Sequence, residues 1–136
     1  MANAAPPDYR AMAKVKPLCE QIGRERIAVV VHGLYERLRG HSELGHFFTI
    51  IEDWPGHEAL IVEYWWVVLG GDAREENEFA MADKHRALNL ADSDFDLWLV
   101  CLQETLSELL EPHLAAKWEK HAVQVIQYLK PSILES

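Results

Sequence analysis

Apolar side chains recur every three or four residues along most of this chain, which is the spacing of helices that bury one face. A stretch rich in β-branched residues at 27–31 would suit a strand, but the charged residues on both sides of it favour a helix. The polar, acidic stretch at 70–78 has no apolar period and is expected to be a loop. The predicted helices cover residues 9–16, 24–39, 53–69, 79–88, 95–110 and 115–128, and a short turn of helix is predicted at 17–22. The pattern predicts an all-α fold of about six helices joined by short loops.

The helix predicted at 53–69 has clear start and stop signals. Asp53 can accept a hydrogen bond from a first-turn amide, and Gly70 follows the last apolar residue. His57 lies on the same face of this helix as Ile61 and Trp65, because residues three or four apart share a face. The spacing therefore predicts an imidazole that faces the interior.

The ends of the last two helices are predicted from aspartate and proline. Asp92 and Asp94 are expected to cap the helix at 95–110, and Pro112 to end it. Leu109 falls on the apolar face of this helix and is expected to be buried. Pro131 is expected to close the final helix, since proline disfavours helical backbone at the residue before it.

Two further polar side chains lie on predicted apolar faces. His85 shares a face with Leu88, and Tyr35 lies on the buried side of the helix at 24–39. A histidine on an apolar face is usually a satisfied core residue, and a tyrosine there can lie at the core edge with its hydroxyl in water. Two inward histidines on separate segments, neither with an acidic residue that is expected to bind a metal beside it, favour another interpretation. Neutral imidazole in an apolar, aromatic cavity suits a haem iron better than zinc, which takes further Cys, His or carboxylate ligands.

Composition limits the other classes of function. The chain has 136 residues, with 13 basic and 22 acidic side chains and a formal net charge of -9. Because it is acidic and has no basic run, nucleic acid and anionic membranes are not expected partners. Cys19 and Cys101 form no metal-binding or haem-attachment motif and are expected to be free thiols. No leader pattern and no apolar run of about 20 residues is present, so a cytoplasmic protein without a membrane span is expected. Phosphate-binding glycine loops, H-E-x-x-H and nucleophile-elbow motifs are also missing from the sequence.

Five short stretches occur in an order and spacing that resemble the truncated haemoglobins, and most of all their third group. They are LYERLR at 34–39, LGHFF at 44–48, WPGH at 54–57, KHRAL at 84–88 and FDLWL at 95–99. No single stretch is specific, but together they span about residues 20–130. The resemblance implies a two-over-two helical sandwich around haem b, with a globin domain at 17–136 and an N-terminal extension or short helix at 1–16.

The same resemblance implies a role for individual residues. His85 matches the proximal histidine that binds the iron. The matched distal residues are Tyr35, His57 and Trp98, and the matched haem contacts are Phe48, Ile61 and Trp98, with Lys84 and Arg86 as candidate partners of the haem propionates.

The function implied by the resemblance is binding of dioxygen, nitric oxide and carbon monoxide at a five-coordinate iron. Such a site suits ligand binding, redox chemistry or detoxification of nitric oxide or peroxide rather than bulk transport. Activity as a nitric oxide dioxygenase or a peroxidase would need an outside electron donor such as a reductase. The alternative from a different class is an all-α interaction module that keeps the globin fold without haem.

Overall fold

Five α-helices and one 3-10 turn make up the parts of the chain that the structure, a computed structural model, describes: residues 16–72, 85 and 88–134. The helices are α1 (Leu18–Ile22), α2 (Arg24–Arg39), α3 (Trp54–Val68), α4 (Asp92–Leu109) and α5 (Pro112–Leu134), and the 3-10 turn is Gly45–Phe48. The predicted all-α fold is confirmed. No helix within these ranges is long and apolar enough to cross a membrane.

Helices α2 and α3 form one antiparallel pair. Arg24 at the start of α2 forms an ion pair with Glu63 late in α3, whereas Tyr35 late in α2 contacts Trp54 at the start of α3. This arrangement brings the polar and aromatic end of α2 beside the first turn of α3.

Helices α4 and α5 form the second antiparallel pair. Asp92 at the start of α4 pairs with Lys130 near the end of α5, and Gln103 donates a hydrogen bond to Glu119 midway along, at 2.6 Å. Helix α2 packs on α4 as well as on α3, and so joins the two pairs. The result is the two-over-two arrangement.

The core centres on α2. Its apolar stripe is almost completely removed from solvent, and it packs against the buried faces of α4 and α5. The α2 residues are Ile27, Val30, Val31, Leu34 and Leu38, and their buried counterparts include Leu102 and Leu106 of α4 and Leu114, Trp118 and Ala122 of α5. Burial of this stripe explains why the β-branched run at 27–31 is helical.

The predicted ends of α3 are confirmed. The Asp53 carboxylate accepts a hydrogen bond from the Gly56 amide at 3.0 Å. At the other end the Leu69 amide donates to the Trp65 carbonyl, and Gly70 follows with a φ of 104°, a backbone conformation that favours glycine. These contacts fix the first and last residues of α3 and so the side chains that face the interior.

Three predictions about α4 and α5 are wrong. Helix α4 begins at Asp92, and Asp94 accepts a hydrogen bond from the Ala91 amide at 2.8 Å, so the cap residue is Ala91. Leu109 is the last residue of α4 and is 40% exposed, whereas Thr105, one turn earlier, is buried and donates its hydroxyl to the Cys101 carbonyl.

The third error concerns Pro131, whereas α4 ends at Leu109, just before Pro112, in agreement with the prediction. Pro112 opens α5, where a first-turn residue needs no amide donor, and Pro131 lies inside its last turn. Burial of Ile133 accompanies the continuation of the helix beyond Pro131. Residues 9–15 of the helix predicted at 9–16, residues 73–78 of the predicted loop and all of the helix at 79–88 except 85 and 88 lie outside the described residues.

Candidate functional site

An apolar cleft opens between α3, α4 and α5 and is closed on one side by the 3-10 turn and the end of α2. The space between its walls is about 900 Å³, a figure that includes solvent at the open mouth. The lining side chains are Tyr35, Leu44, Phe47, Phe48, Ile61, Tyr64, Trp65, His85, Leu88, Leu90, Asp94, Phe95, Trp98, Val125, Ile126, Leu129 and Ile133. Five of the predicted site residues, Tyr35, Phe48, Ile61, His85 and Trp98, are thus brought together in one cleft.

Tyr35 is held by three neighbouring rings. Its ring centroid lies 5.6 Å from Phe48, 5.8 Å from Trp54 and 5.6 Å from His57, with the Phe48 and His57 rings edge-on. Burial, and after it the negative charge of Glu58, raises the pKa of Tyr35 well above its usual value, so the hydroxyl stays protonated at neutral pH. This hydroxyl makes no hydrogen bond with the part of the chain that the structure describes. Tyr35 is therefore a fixed donor with spare capacity at the cleft.

Trp98 is the second fixed donor. Its ring stacks on that of buried Trp65, with centroids 6.2 Å apart and ring planes within 10°. Its indole N–H donates no hydrogen bond to any of the residues that the structure describes. Stacking restricts the rotamer of Trp98 and so fixes the direction in which this N–H points.

His85 is the only histidine among the described residues that line the cleft. The structure describes it as a half-buried residue in helical conformation, surrounded in the lining by aliphatic and aromatic side chains. Haem iron in globins is held by one histidine imidazole, and His85 supplies an imidazole in apolar surroundings. The residues present therefore fit a haem. Lys84 and Arg86, predicted as propionate partners, lie outside the described residues.

His57 is placed differently from the other predicted distal residues. Its ring contacts Tyr35 at 5.6 Å and Trp54 at 5.7 Å between centroids, but His57 does not line the cleft. The imidazole therefore lies in the layer that supports Tyr35. Its role as a distal residue stays a prediction.

Sequence reasoning missed part of the cleft wall. The apolar face of α5, with Val125, Leu129 and Ile133, forms one side of the cleft, and Asp94 adds a carboxylate. The three-and-four spacing on α5 was visible in the sequence but predicted only a helix packed in the core. Trp65, on the predicted inward face of α3, is both buried and part of the lining.

The described geometry can be compared with known proteins. The family model of bacterial-like globins matches residues 17–135, which is most of the chain. The chain belongs to the bacterial-like globin family. No curated protein is significantly similar to this globin in sequence.

Solved structures with the same fold are truncated haemoglobins. The group III truncated haemoglobin from Campylobacter jejuni is 24% identical, with a TM-score of 0.70 over 84% of this chain and 93% of the other. The 2/2 haemoglobin from Synechococcus sp. PCC 7002, solved in the cyanomet state with covalently attached haem, is 20% identical, with a TM-score of 0.76 over 89% and 100%. The Fe(III) form from Tetrahymena pyriformis is 21% identical, with a TM-score of 0.72 over 89% and 100%. The expected truncated two-over-two fold is confirmed.

Proposed function

We propose that this globin binds haem b without a covalent link, through His85, and holds dioxygen and other small diatomic ligands beside Tyr35 and Trp98. One observation carries the proposal: the side chains of His85, Tyr35 and Trp98 line the same apolar cleft, and the described residues offer no hydrogen-bond partner to the Tyr35 hydroxyl or the Trp98 indole N–H. When bound, ferrous haem offers an open iron position where a diatomic ligand gains partial negative charge.

The cleft walls supply the apolar contacts for the haem. Phe48 and Ile61 approach from the 3-10 turn and α3, and Leu129 approaches from α5. Apolar walls exclude water, which strengthens hydrogen bonds made inside the cleft. We assign the propionates to Lys84 and Arg86 by resemblance.

Tyr35 and Trp98 are the donors that stabilise charge on the ligand. A hydrogen bond to a group that carries charge contributes about 1.5 to 3 kcal/mol. Both side chains are already ordered by ring contacts, so little conformational entropy opposes each bond. Carbon monoxide carries less negative charge than dioxygen and gains less from these donors. His57, which supports Tyr35 from outside the cleft, acts mainly on ligand access.

Two donors at one ligand favour slow release of dioxygen. Slow release suits redox chemistry or detoxification of nitric oxide or peroxide better than transport, which needs rapid unloading. Repeated turnover of that kind takes electrons from an outside donor, and a reductase is the partner class that supplies them.

The test is the haem content and ferrous absorption spectrum of His85→Ala beside wild type. The variant is expected to lose stable haem and to recover it with added imidazole, which can occupy the space left by the side chain. His113→Ala, at an exposed histidine in the first turn of α5, is the matched control and should keep its haem. Unchanged haem content in His85→Ala would exclude this residue as the ligand, and a wild-type protein that takes up no haem would favour an interaction module.

A further inference from the structure

An imidazole on the outer face of α2 bridges two carboxylates. His32 Nδ1 lies 2.9 Å from a Glu58 oxygen, and its Nε2 lies 3.0 Å from a Glu36 oxygen. Carboxylates only accept hydrogen bonds, and an imidazole carries N–H groups on both nitrogens only when it is protonated. The observed arrangement is therefore that of a histidinium ion held between two glutamates.

The two carboxylates are not equivalent. Glu36 lies one turn along α2 from His32, and its side chain is 67% exposed. Glu58 belongs to α3, and its side chain is 19% exposed. The contact between His32 and Glu58 thus joins the two helices, and it is the less hydrated of the two contacts.

The Glu58 end of this contact lies just outside the distal donors. Glu58 follows His57, whose ring contacts Tyr35, and Tyr35 is three residues after His32 on α2. Burial raises the pKa of Tyr35, and the negative charge of Glu58 raises it further. A change in the net charge of the bridged cluster is therefore felt at the cleft.

Three arginines of α2 form ion pairs away from His32, including Arg26 with Glu111, and the Arg39 guanidinium packs over the Trp54 ring at 4.1 Å. On the α4 side Arg37 binds Glu104 and Glu108, and at the start of α2 Arg24 binds Glu63. Around His32 itself the titratable groups on α2 and α3 are Glu36, Glu58, Tyr35 and His57. Of these, the two carboxylates contact the His32 ring.

We propose that His32 and Glu58 are positioning residues that make ligand release from the cleft depend on pH, with slow release while His32 is protonated and faster release once it has lost its proton. The inference rests on the proposed function and names a regulation of that same site. Protonated His32 balances the charge of Glu58. Without that proton, the Glu58 charge opposes the partial negative charge on a ligand held by Tyr35.

The direction of the pH effect follows from the same contacts. The hydrogen bond to Glu58, then its charge and that of Glu36, raises the pKa of His32 above its usual value of about 6.5. Dioxygen release is expected to quicken about two- to fourfold as pH rises through that pKa. This is the size expected when a unit charge acts on a partial charge across roughly 10 Å at an effective dielectric constant of about 20.

The experiment measures dioxygen dissociation by stopped flow from pH 5.5 to 8.5 in the haem-loaded protein. His32→Lys keeps a positive charge throughout and should release slowly at every pH, whereas His32→Gln should release fast at every pH. Glu58→Gln should remove the pH step, and Glu36→Gln should keep most of it. His57→Leu should keep the step as well, which excludes His57 as its source.

NMR titration of the His32 ring in the carbon monoxide form provides a second measurement. The His32 pKa should fall in Glu58→Gln and fall less in Glu36→Gln. A pH-independent release rate in wild type, or a step that survives in both His32 variants, would overturn the inference. Failure to bind haem would instead overturn the proposed function, and the His32 titration would then be measured in the haem-free protein.

Discussion

Replacing Trp98 by phenylalanine removes one distal donor and leaves most of the packing. Trp98 stacks on Trp65 in nearly parallel planes, and a phenylalanine can keep that stacking while losing the indole N–H. The lost hydrogen bond to a charged acceptor is worth about 1.5 to 3 kcal/mol. Since about 1.4 kcal/mol corresponds to a tenfold change in rate, dioxygen should leave Trp98→Phe about ten to 150 times faster than wild type.

The assay is stopped-flow displacement of dioxygen by carbon monoxide at a fixed pH. Trp66→Phe is the matched control because Trp66 lies outside the cleft lining, where the Arg24 guanidinium packs over its ring at 4.3 Å. Carbon monoxide release should change much less than dioxygen release, since carbon monoxide carries less negative charge. A Trp98→Phe rate within twofold of wild type, or an equal effect in Trp66→Phe, would show that Trp98 is not a ligand donor.

Three other outcomes are expected. Tyr35→Phe should change the dioxygen release rate at least about tenfold in stopped-flow measurements. His57→Leu should change the release rate less and act mainly on association. A larger effect on release in His57→Leu would contradict the assignment. Because haem binds the native state alone, the haem-free protein should melt at a lower temperature than the haem-bound protein in calorimetry. It should also lose hydrogen-exchange protection first near residue 85. Equal melting temperatures would count against a haem site in the core. Burial raises the pKa of the Cys19 and Cys101 thiols. Both thiols should therefore react with a thiol reagent at neutral pH only after the protein is unfolded in denaturant. Fast reaction in the native protein would contradict their burial.

The local parts of the fold could be predicted because local signals carry them. Asp53 and Gly70 mark the ends of α3 in the sequence, and the structure places the helix between them. Pro131 shows the limit of such signals. A proline costs one amide donor wherever it occurs, and whether the helix continues depends on what the following turn buries, here Ile133.

Assignment of residues to the cleft depended on information that periodicity does not contain. The pattern showed that Val125 and Leu129 face inward, but not whether they meet another helix or an open cleft. The cleft lies between α3, α4 and α5, and the space between these helices is set by packing across the whole sandwich. His57 shows the converse: it lies on an inward face, yet Tyr35 occupies the position between it and the cleft.

Tyr35 and Trp98, whose donors have no partner among the described residues, argue that the cleft is built for a ligand rather than for stability. A phenolic hydroxyl and an indole N–H next to apolar walls contribute less to folding than hydrocarbon of the same shape, since polar groups removed from water need partners. Three ring contacts around Tyr35 and a stacked ring beside Trp98 nevertheless hold both donors in place. On this reasoning Tyr35→Phe should leave the melting temperature of the haem-free protein unchanged or raise it, while changing dioxygen release. A substitution that is neutral for folding and costly for ligand retention would identify the hydroxyl as functional.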